Sequence, residues 1–378
     1  MRLAGGDMGC LRSVVAPVLV AVALLCSCGG DDPLLLGYVG PLTGKYSDLG
    51  VQGRNGVRLA MEQFNDAGGA HGRPVKLLVQ NDYSSADGTL QAFRDMATRG
   101  VAAVLGPMTS GQAIAAWPVM RDFGGVVLSP TVATPSLSRR KDFFYRVIAT
   151  NENWAEALAQ YARYNLQLYS VLCVGDLSNA DYVDTFTLAF ARRFETLGGK
   201  IVGRSDFRLD QEVDWTGFQE AQDRLNPDAL LVVTSARDAA EICRMQIRRP
   251  RPAQILGPTW PASRELLFTG GPAVEGAVFA TGFVENSASP AQIAFEREYQ
   301  DRYGYRPNFA AAYSYEAARV LLGGMSAGAF SPEDFDRYLG QAGEFEGVYG
   351  KFRFDAFGDV LRATQIIQVK NGEFVEVE

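Results

Sequence analysis

The sequence predicts an α/β protein made of two doubly wound, Rossmann-like units that follow one another along the chain. From Leu34 onward, short continuous apolar runs alternate with amphipathic stretches whose apolar residues recur every three to four positions. Continuous runs are typical of strands buried on both faces of a parallel sheet, with helices covering those faces. The alternation begins again after FFYRV (143–147), which indicates the second unit.

The first unit is predicted from its apolar runs and the helical patterns between them. In the first helix Val57, Met61 and Phe64 share one face, and Gly68-Gly69 is a helix-ending signal. The runs that we interpret as strands are LLLGYVG (34–40), VKLLVQND (75–82), VAAVLGP (101–107) and GVVLSP (125–130).

The second unit repeats this pattern. Its predicted strands are SVLCVGD (170–176), KIVGRSDF (200–207), DALLVVTS (228–235), QILGPT (254–259) and GAVFATGF (276–283). Its helices are expected near 153–165, 180–197, 215–225 and 237–248.

The last part of the chain is predicted to pack on the two units formed by the preceding residues. Three helices are expected near 290–303, 308–326 and 332–341, followed by a β-rich segment at 345–355. A final hairpin is predicted with its tight turn at Asn371-Gly372. Helices so late in the chain must cover a sheet already built. We therefore expect the chain to rejoin the first unit and to end on the second.

The N-terminus, residues 1–27, is a predicted lipoprotein signal peptide. Arg2 and Arg12 precede an apolar run at 14–25. As a helix this run would be about 18 Å long, shorter than the hydrocarbon core of a membrane, which is about 30 Å thick. The run closes in LCSC (25–28), which resembles a lipobox, so Cys28 is the predicted lipidated residue and 28–33 a tether. An ordinary secretory signal with a chance cysteine is the alternative, and the membrane that holds the anchor stays open.

Composition excludes several classes of function. A net charge of -7 lacks the basic surface that nucleic acids require, so no nucleic acid partner is expected. The single histidine, His71, lies in GGAHGRP, a predicted solvated turn, which argues against histidine-dependent hydrolases and zinc sites. Nucleotide-binding glycine motifs are missing from the sequence, and we expect no cofactor and no metal. Asp82, Asp176 and Asp181, at strand ends, leave a hydrolase with paired carboxylates as an open alternative.

The two remaining cysteines of the body have neither CxxC spacing nor basic neighbours. Cys173 lies in a predicted strand and Cys243 in a predicted helix, and we interpret both as small buried apolar residues. A disulfide between them stays open, because an exported chain would permit one.

In a doubly wound sheet, ligands bind at the loops that leave the carboxyl ends of the strands. GPMTSG (106–111) leads into a helix whose free N–H groups could hold a carboxylate near Ser110; alternatively, Ser110 only caps that helix. SPTVATPSLS (129–138) is rich in hydroxyls and stiffened by prolines. Tyr182 could cover a ligand, and Trp260 is predicted at an exposed loop tip, a typical binding position.

Together these segments resemble the type I periplasmic binding proteins, in particular the branched-chain amino-acid-binding group that serves ABC importers. The opening GYVGPLTGKYSDLGVQGRNGVRLAMEQFNDAGG is similar to that group's first strand, loop and helix. The other matching segments, in the expected order, are GPMTSG, SPTVATPSL, DALLVVTS, FEREYQDRYGYRPNFAAAYSYEAARVLL and GVYGKFRFDAFGD.

The resemblance implies two lobes joined by three crossovers, with a ligand clamped between them by hinge closure. Lobe 1 would comprise 34–149 and 284–360, and lobe 2 would comprise 150–283 and 361–378. The residues that match ligand-holding positions are Ser110, Thr131, Ala133 and Thr134 in lobe 1 and Tyr182 and Ser235 in lobe 2. Tyr46 and Leu49 fall in the first loop, where an aromatic side chain often packs on the ligand, and Trp260 is a candidate from its loop position.

The chain departs from the resemblance at the position that receives the ligand's ammonium group. Where branched-chain binders place an acid, this sequence has Thr259 and Trp260, and Ala133 stands where a threonine is expected. The resemblance implies an exported, lipid-anchored monomer, not an enzyme. It would capture an amino acid, related carboxylate or amide for an ABC importer permease. The alternative is a sensor or regulatory lipoprotein that acts on a signalling or cell-wall partner.

Overall fold

The structure is a computed structural model that describes residues 32–44, 46–208, 213, 215–283 and 289–377. The predicted signal peptide and the predicted lipidation of Cys28 lie outside the described residues, as does most of the tether. Among the described helices, none combines the length and the apolar character needed to cross a bilayer.

The first sheet is parallel, and four of its five strands follow the predicted apolar runs; the fifth, in FFYRV (143–147), was not predicted as a strand. Its strands β1 to β5 are Leu34–Gly40, Val75–Asn81, Ala103–Leu105, Val126–Ser129 and Phe144–Arg146. Its helices α1 to α3 are Ser47–Asp66, Ala86–Thr98 and Ser110–Arg121. The strand order is β2-β1-β3-β4-β5. Strand β3 ends earlier than predicted, because Gly106 has a φ of 119° and Pro107 has no N–H to donate.

The second sheet begins with five parallel strands. Strands β6 to β10 are Ser170–Gly175, Lys200–Arg204, Ala229–Val233, Gln254–Gly257 and Val278–Thr281. Helices α4 to α8 are Asn151–Tyr164, Ala180–Thr196, Trp215–Leu225, Ala236–Gln246 and Arg264–Gly270. Helix α8 lies in a stretch that the sequence analysis treated as a loop.

The remaining elements of the described chain are three helices and four strands. Helices α9 to α11 are Pro290–Tyr303, Phe309–Ser326 and Pro332–Gln341. Strands β11 to β14 are Phe345–Gly347, Gly350–Phe352, Gln365–Lys370 and Glu373–Glu376. The full second sheet has the order β14-β13-β10-β9-β8-β6-β7, with β13 and β14 antiparallel. Strands β11 and β12 form a two-stranded antiparallel sheet of their own. The turn at Asn371-Gly372 is confirmed, with φ values of 55° and 75°.

Helix α10 packs directly on α1 and so completes the cover of the first sheet. A Cβ atom at Gly56 would lie 2.1 Å from the carbonyl oxygen of Ala311, so the crossing requires a glycine there. Tyr315 adds a hydrogen bond of 2.7 Å to Gln63 across the same pair of helices. The first sheet is therefore covered in part by α10, a helix that lies about 250 residues after α1 in the chain.

Both parallel sheets have the same doubly wound order, which fixes where a ligand can enter. Their topological switch points lie between β1 and β3 and between β6 and β8. Loops that leave the carboxyl ends of neighbouring strands at such a point separate to opposite faces and open a crevice. Hydrogen bonds join the loops of the two sheets, among them Gly111 N to Asn179 Oδ1 at 2.7 Å and Ser136 Oγ to Asp181 Oδ1 at 2.8 Å.

The chain passes between the sheets beside four charged side chains, which we call the crossing region: Arg146, Glu316, Asp359 and Arg362. Arg146 Nε donates to Asp359 Oδ1 at 2.7 Å, and Arg362 Nη2 donates to Glu316 Oε2 at 2.5 Å. Arg362 Nε also donates to the carbonyl oxygen of Val147, the residue that follows β5. The side chains of Glu316 and Arg362 are 1% and 3% exposed, so this ion pair lies inside the protein.

Cys173 and Cys243 are both buried and both free. Their interpretation as small buried residues is confirmed, and the disulfide left open by the sequence does not form between them. Burial raises the pKa of each thiol to about 12, which makes both poor nucleophiles.

Candidate functional site

Loops from both sheets surround a small cavity of about 20 Å³. The first unit contributes helix α1, the loops after β3, β4 and β5, and helix α10; the second unit contributes the loops after β6 and β9. The residues that line the cavity are Leu49, Met108, Thr109, Ser110, Thr131, Ala133, Ile148, Trp154, Asn179, Tyr182, Thr259, Trp260 and Phe309. Among the residues singled out in the sequence, this lining includes Leu49, Ser110, Thr131, Ala133, Tyr182 and Trp260 and leaves out Tyr46, Thr134 and Ser235.

The N-terminus of α3 borders the cavity. Thr109, with extended backbone, is the N-cap residue, and Ser110 is the first helical residue. The prediction that Ser110 caps this helix was therefore wrong, because the chain is already helical at that position. Its Oγ is buried and has no hydrogen-bond partner. The first turn of a helix has N–H groups without intrahelical partners and a partial positive charge, so this end favours an acceptor or an anion. One of these groups, Gly111 N, already donates to Asn179 Oδ1 at 2.7 Å.

The turn before α3 depends on a glycine. Gly106 combines a φ of 119° with a position where a Cβ atom would lie 2.1 Å from the carbonyl oxygen of Val39. Any other residue would push the loop away from β1. This glycine therefore lets the chain turn sharply from β3 toward the cavity and present Thr109 and Ser110 there.

The hydroxyl-rich loop after β4 uses most of its hydroxyl groups in hydrogen bonds to other protein atoms. Thr131 Oγ1 donates to the carbonyl oxygen of Met108 at 2.5 Å, and only its remaining lone pairs face the cavity. Thr134 Oγ1 accepts from Ser136 N and caps a short 3₁₀ helix, so it does not line the cavity as predicted. Ala133 lines the cavity, while its carbonyl oxygen accepts from Asn151 N, the first residue of α4.

Three aromatic side chains close one side of the cavity. The ring of Trp260 packs edge-on against Tyr182 and against Tyr46, with centroid distances of 5.7 and 5.5 Å. Trp260 is partly buried, so the prediction of an exposed loop tip was wrong. The prediction failed because two tyrosines from other loops cover the indole. Tyr182, 5% exposed, lines the cavity as predicted.

Tyr46 links the two units at the edge of the cavity. It follows the loop after β1, and its hydroxyl donates to Asp176 Oδ2 at 2.5 Å, just after β6. Burial raises the pKa of Asp176 above that of an exposed aspartate and raises the pKa of Tyr46 well above its ordinary value. The tyrosine therefore stays a neutral hydrogen-bond donor. With Tyr83 and Asp181 it lines a second, wider pocket between loops of the two sheets, which we call the outer cleft.

Ser235 has a structural role in this fold. Its side chain caps α7, donating to Asp238 Oδ2 at 2.7 Å and accepting from Asp238 N. The resemblance placed it over the ligand, but in this chain it does not line the cavity. The Ser-Ala-Arg-Asp order at 235–238 is the helix-capping signal that explains this outcome.

The sequence analysis missed Trp154, which lines the cavity from the first turn of α4. Its side chain is fully buried and its Nε1–H has no hydrogen-bond partner. Its place in the first turn of a helix that follows a parallel strand could have identified it, because Ser110 was selected for lying in the first turn of such a helix. Met108, Ile148, Asn179 and Phe309 were also missed, and their apolar or amide side chains carry no such signal.

Each of the strand-end carboxylates has a hydrogen-bond partner of its own. Asp82 accepts from Ser84 N, Asp176 from Tyr46 and Asp181 from Ser136 Oγ, and the described hydrogen bonds join none of the three to another. Burial raises the pKa of Asp82 to about 6. His71 is exposed in a turn with a φ of 53°, so the predicted solvated turn is confirmed.

Comparison with known proteins relates this geometry to a family. A family model described as "Periplasmic binding protein" matches residues 33–373. A "Leu/Ile/Val-binding protein homolog 1" from Brucella melitensis is 25% identical over 90% of this chain and 91% of its own length.

Two solved structures show the same fold. A leucine-binding protein from Thermotoga maritima has a TM-score of 0.83 and 25% identity, covering 91% of this chain and 98% of its own. A solute-binding protein of an ABC transporter from R. palustris, solved with benzoate, also has a TM-score of 0.83. It is 18% identical and covers 91% of this chain and 95% of its own.

Proposed function

This chain belongs to the periplasmic binding protein family, and from that premise we propose that it captures one small carboxylate-bearing molecule and delivers it to an ABC importer. The observation that carries the proposal is the enclosed cavity between two doubly wound sheets, with the buried and unpartnered Ser110 Oγ at a helix N-terminus. A polar atom buried without a partner is costly, and a ligand that supplies the partner removes that cost.

The proposed ligand site joins both lobes. Ser110 and the first turn of α3 hold the carboxylate, with Thr131 and Ala133 beside it. Tyr182 and Trp260 cover the ligand from the other lobe. Tyr46 acts at the entrance through its hydrogen bond to Asp176 and does not touch the ligand's polar group.

The lobes are proposed to meet by hinge closure. We place lobe 1 at 34–149 and 284–360 and lobe 2 at 150–283 and 361–378, so that both sheets keep their own strands and α10 stays with α1. The hydrogen bonds from Tyr46 to Asp176 and from Gly111 to Asn179 support a closed arrangement, since each joins loops of opposite sheets. Opening the hinge would break these bonds and expose the cavity.

The N-terminal anchor is proposed from the sequence alone. Cleavage before Cys28 and lipidation of that residue would tether the protein on the outer side of a membrane. Mass spectrometry of the protein from membranes should show a diacylated or triacylated N-terminal cysteine, and Cys28→Ser should release the protein into the soluble fraction. An intact N-terminus in the mature protein would contradict the anchor without bearing on ligand capture.

Ligand capture is tested by native mass spectrometry of the purified protein, followed by thermal denaturation with candidate carboxylates, amino acids and amides. A ligand should bind with one-to-one stoichiometry and stabilise the fold by about 2.7 kcal/mol at a hundredfold excess over Kd. Small-angle scattering should show a more compact particle with ligand. The proposal fails if no small molecule binds and the scattering profile never changes.

A further inference from the structure

We propose that the molecule held in the cavity is a carboxylic acid without an ammonium group, and that α-amino acids are poor ligands of this protein. This inference rests on the proposed function and narrows its ligand class. It depends on two independent observations: which charges surround the cavity and which hydrogen bonds its polar groups still lack.

The first observation is that the described residues lining the cavity carry no formal charge. An ammonium group taken out of water needs a carboxylate beside it, because neutral oxygens do not offset the loss of hydration. Thr259, at the position where the resemblance expects an acid, offers only a hydroxyl whose proton is donated to the Ala280 carbonyl oxygen at 3.1 Å.

Two buried carboxylates lie near Tyr46, but both are outside the lining and already have partners. Asp176 accepts from the Tyr46 hydroxyl and from Ser178 N, and Asp238 accepts from Ser235 Oγ. Tyr46 in turn packs edge-on against Trp260, whose ring lines the cavity, whereas neither carboxylate belongs to the lining. An ammonium group in the cavity would therefore remain without an anionic partner.

The second observation is that the unsatisfied groups at the cavity are donors. The Nε1–H of Trp154 can only donate, and the Ser110 hydroxyl is free to donate as well; neither has a partner in the protein. Trp154 is completely buried and Ser110 is 1% exposed, so neither group reaches bulk solvent. With the N-terminal dipole of α3, these donors favour an anionic acceptor such as a carboxylate.

The rest of the cavity lining is mostly apolar. Met108, Ile148 and Phe309 face the cavity from lobe 1, and the rings of Tyr182 and Trp260 close it from lobe 2. These walls bury aliphatic or aromatic carbon well and offer no charged partner for a second polar end. The lining residues therefore suit a ligand that combines a carboxylate with an apolar group, which enters when the lobes are apart.

The experiment uses two matched sets of ligands and isothermal titration calorimetry on the whole mature protein. The aliphatic set is 4-methylpentanoate, leucine and 4-methylpentanamide; the aromatic set is phenylacetate, phenylglycine and phenylacetamide. In whichever set has a carbon skeleton that the site accommodates, the acid should bind at least about 100-fold more tightly than the corresponding amino acid. It should also bind about tenfold more tightly than its amide, since bonds to a charged acceptor are stronger.

A matched pair of tryptophan variants tests the donor. Trp154→Phe keeps the ring and removes the N–H, so affinity for the acid should fall about tenfold while the ligand-free melting temperature stays the same or rises. Trp215→Phe, on the outer helix α6 against Phe207 and Phe218, should leave affinity unchanged. Equal affinities of wild type and Trp154→Phe for the acid would contradict the assigned donor.

The ligand class and the proposed function can fail separately. Tighter binding of leucine or phenylglycine than of its acid, or failure of both acids to bind, overturns the ligand class. In those cases a different molecule retained in native mass spectra, with compaction in scattering, leaves the proposed function standing. Without any retained molecule or compaction, both are overturned.

Discussion

The cavity and the crossing region are both buried and polar, yet they are built in opposite ways. In the crossing region Glu316 and Arg362 face each other at 2.5 Å, and Arg146 meets Asp359 at 2.7 Å. The cavity has no charged lining residue within the described chain, and Ser110 Oγ has no partner. Buried charges that are paired fix the path of the chain, whereas buried donors left unpaired are available to a ligand.

The same contrast separates three serines and threonines that looked alike in the sequence. Ser235 and Thr134 use their hydroxyls to cap helices, while Ser110 does not. A hydroxyl that is already bonded contributes to stability, and one that is not contributes to binding. Predicted effects of substitution should therefore divide along this line, and four experiments test whether they do.

The largest effect is expected from breaking the crossing region. Arg362→Met leaves Glu316 as an unpaired buried carboxylate and should lower the free energy of unfolding by about 3–5 kcal/mol. Urea denaturation measures this change. As a control, Lys351→Met removes an exposed partner of Glu346 and should leave the denaturation midpoint nearly unchanged. Equal midpoints for the two variants would remove the contrast between the regions.

A smaller effect is expected where pairing occurs at the mouth of the cavity. Tyr46→Phe removes the hydroxyl that donates to Asp176, a bond to a charged acceptor worth about 1.5–3 kcal/mol. Because this bond joins the two lobes, the ligand should leave about tenfold faster or more, which stopped-flow fluorescence can measure. Tyr83→Phe, an exposed tyrosine of the outer cleft, is the matched control and should not change the release rate.

The two serines sharpen the comparison within one residue type. Ser110→Ala should weaken ligand binding about tenfold and change the unfolding free energy of the empty protein by less than about 0.5 kcal/mol. Ser235→Ala should do the reverse, costing about 1 kcal/mol of stability through the lost cap with unchanged affinity. Calorimetry and urea denaturation on both variants give the four values. If Ser110→Ala destabilises the empty protein as much as Ser235→Ala, the free-donor interpretation is wrong.

The smallest effect concerns buried groups that belong to neither region. Burial raises the pKa of Cys243 to about 12 from an ordinary value of 9, so the folded state keeps its proton while the unfolded state loses it. Stability should therefore be unaffected below about pH 8 and should fall as the pH rises from about 9 toward 12. Cys243→Ala should make this fall shallower in urea titrations at pH 8 and pH 10. An identical pH slope in the variant would exclude the thiol as its source.

Much of the fold could be predicted because it depends on local patterns. Continuous apolar runs gave the strands of both sheets, and Asn371-Gly372 gave the final turn with the expected positive φ values. Strand ends were less certain, as Gly106 and Pro107 show, because the last residues of an apolar run can leave the sheet without losing burial. Helix α8 escaped prediction since its seven residues are too few to show a helical period.

The candidate site was predictable only as far as topology determines it. Ser110, Tyr182 and Trp260 were selected because they follow strand ends, and the structure brings all three to one cavity. Trp154 and the true N-cap, Thr109, were missed because a sequence does not show which polar atoms find partners.

By itself, the sequence determined the two doubly wound units, their order along the chain and the loops where a ligand could bind. It could do so because the pattern of apolar and polar residues along the chain indicates which positions are buried. The tertiary structure alone decided which hydroxyls are capped, which carboxylates are paired, and that Ser110 and Trp154 remain unpartnered beside an uncharged cavity. Those outcomes depend on atoms from segments more than a hundred residues apart in the chain, such as Tyr46 and Asp176. Hydrogen bonding and desolvation act over a few ångströms in space, so no local pattern records them.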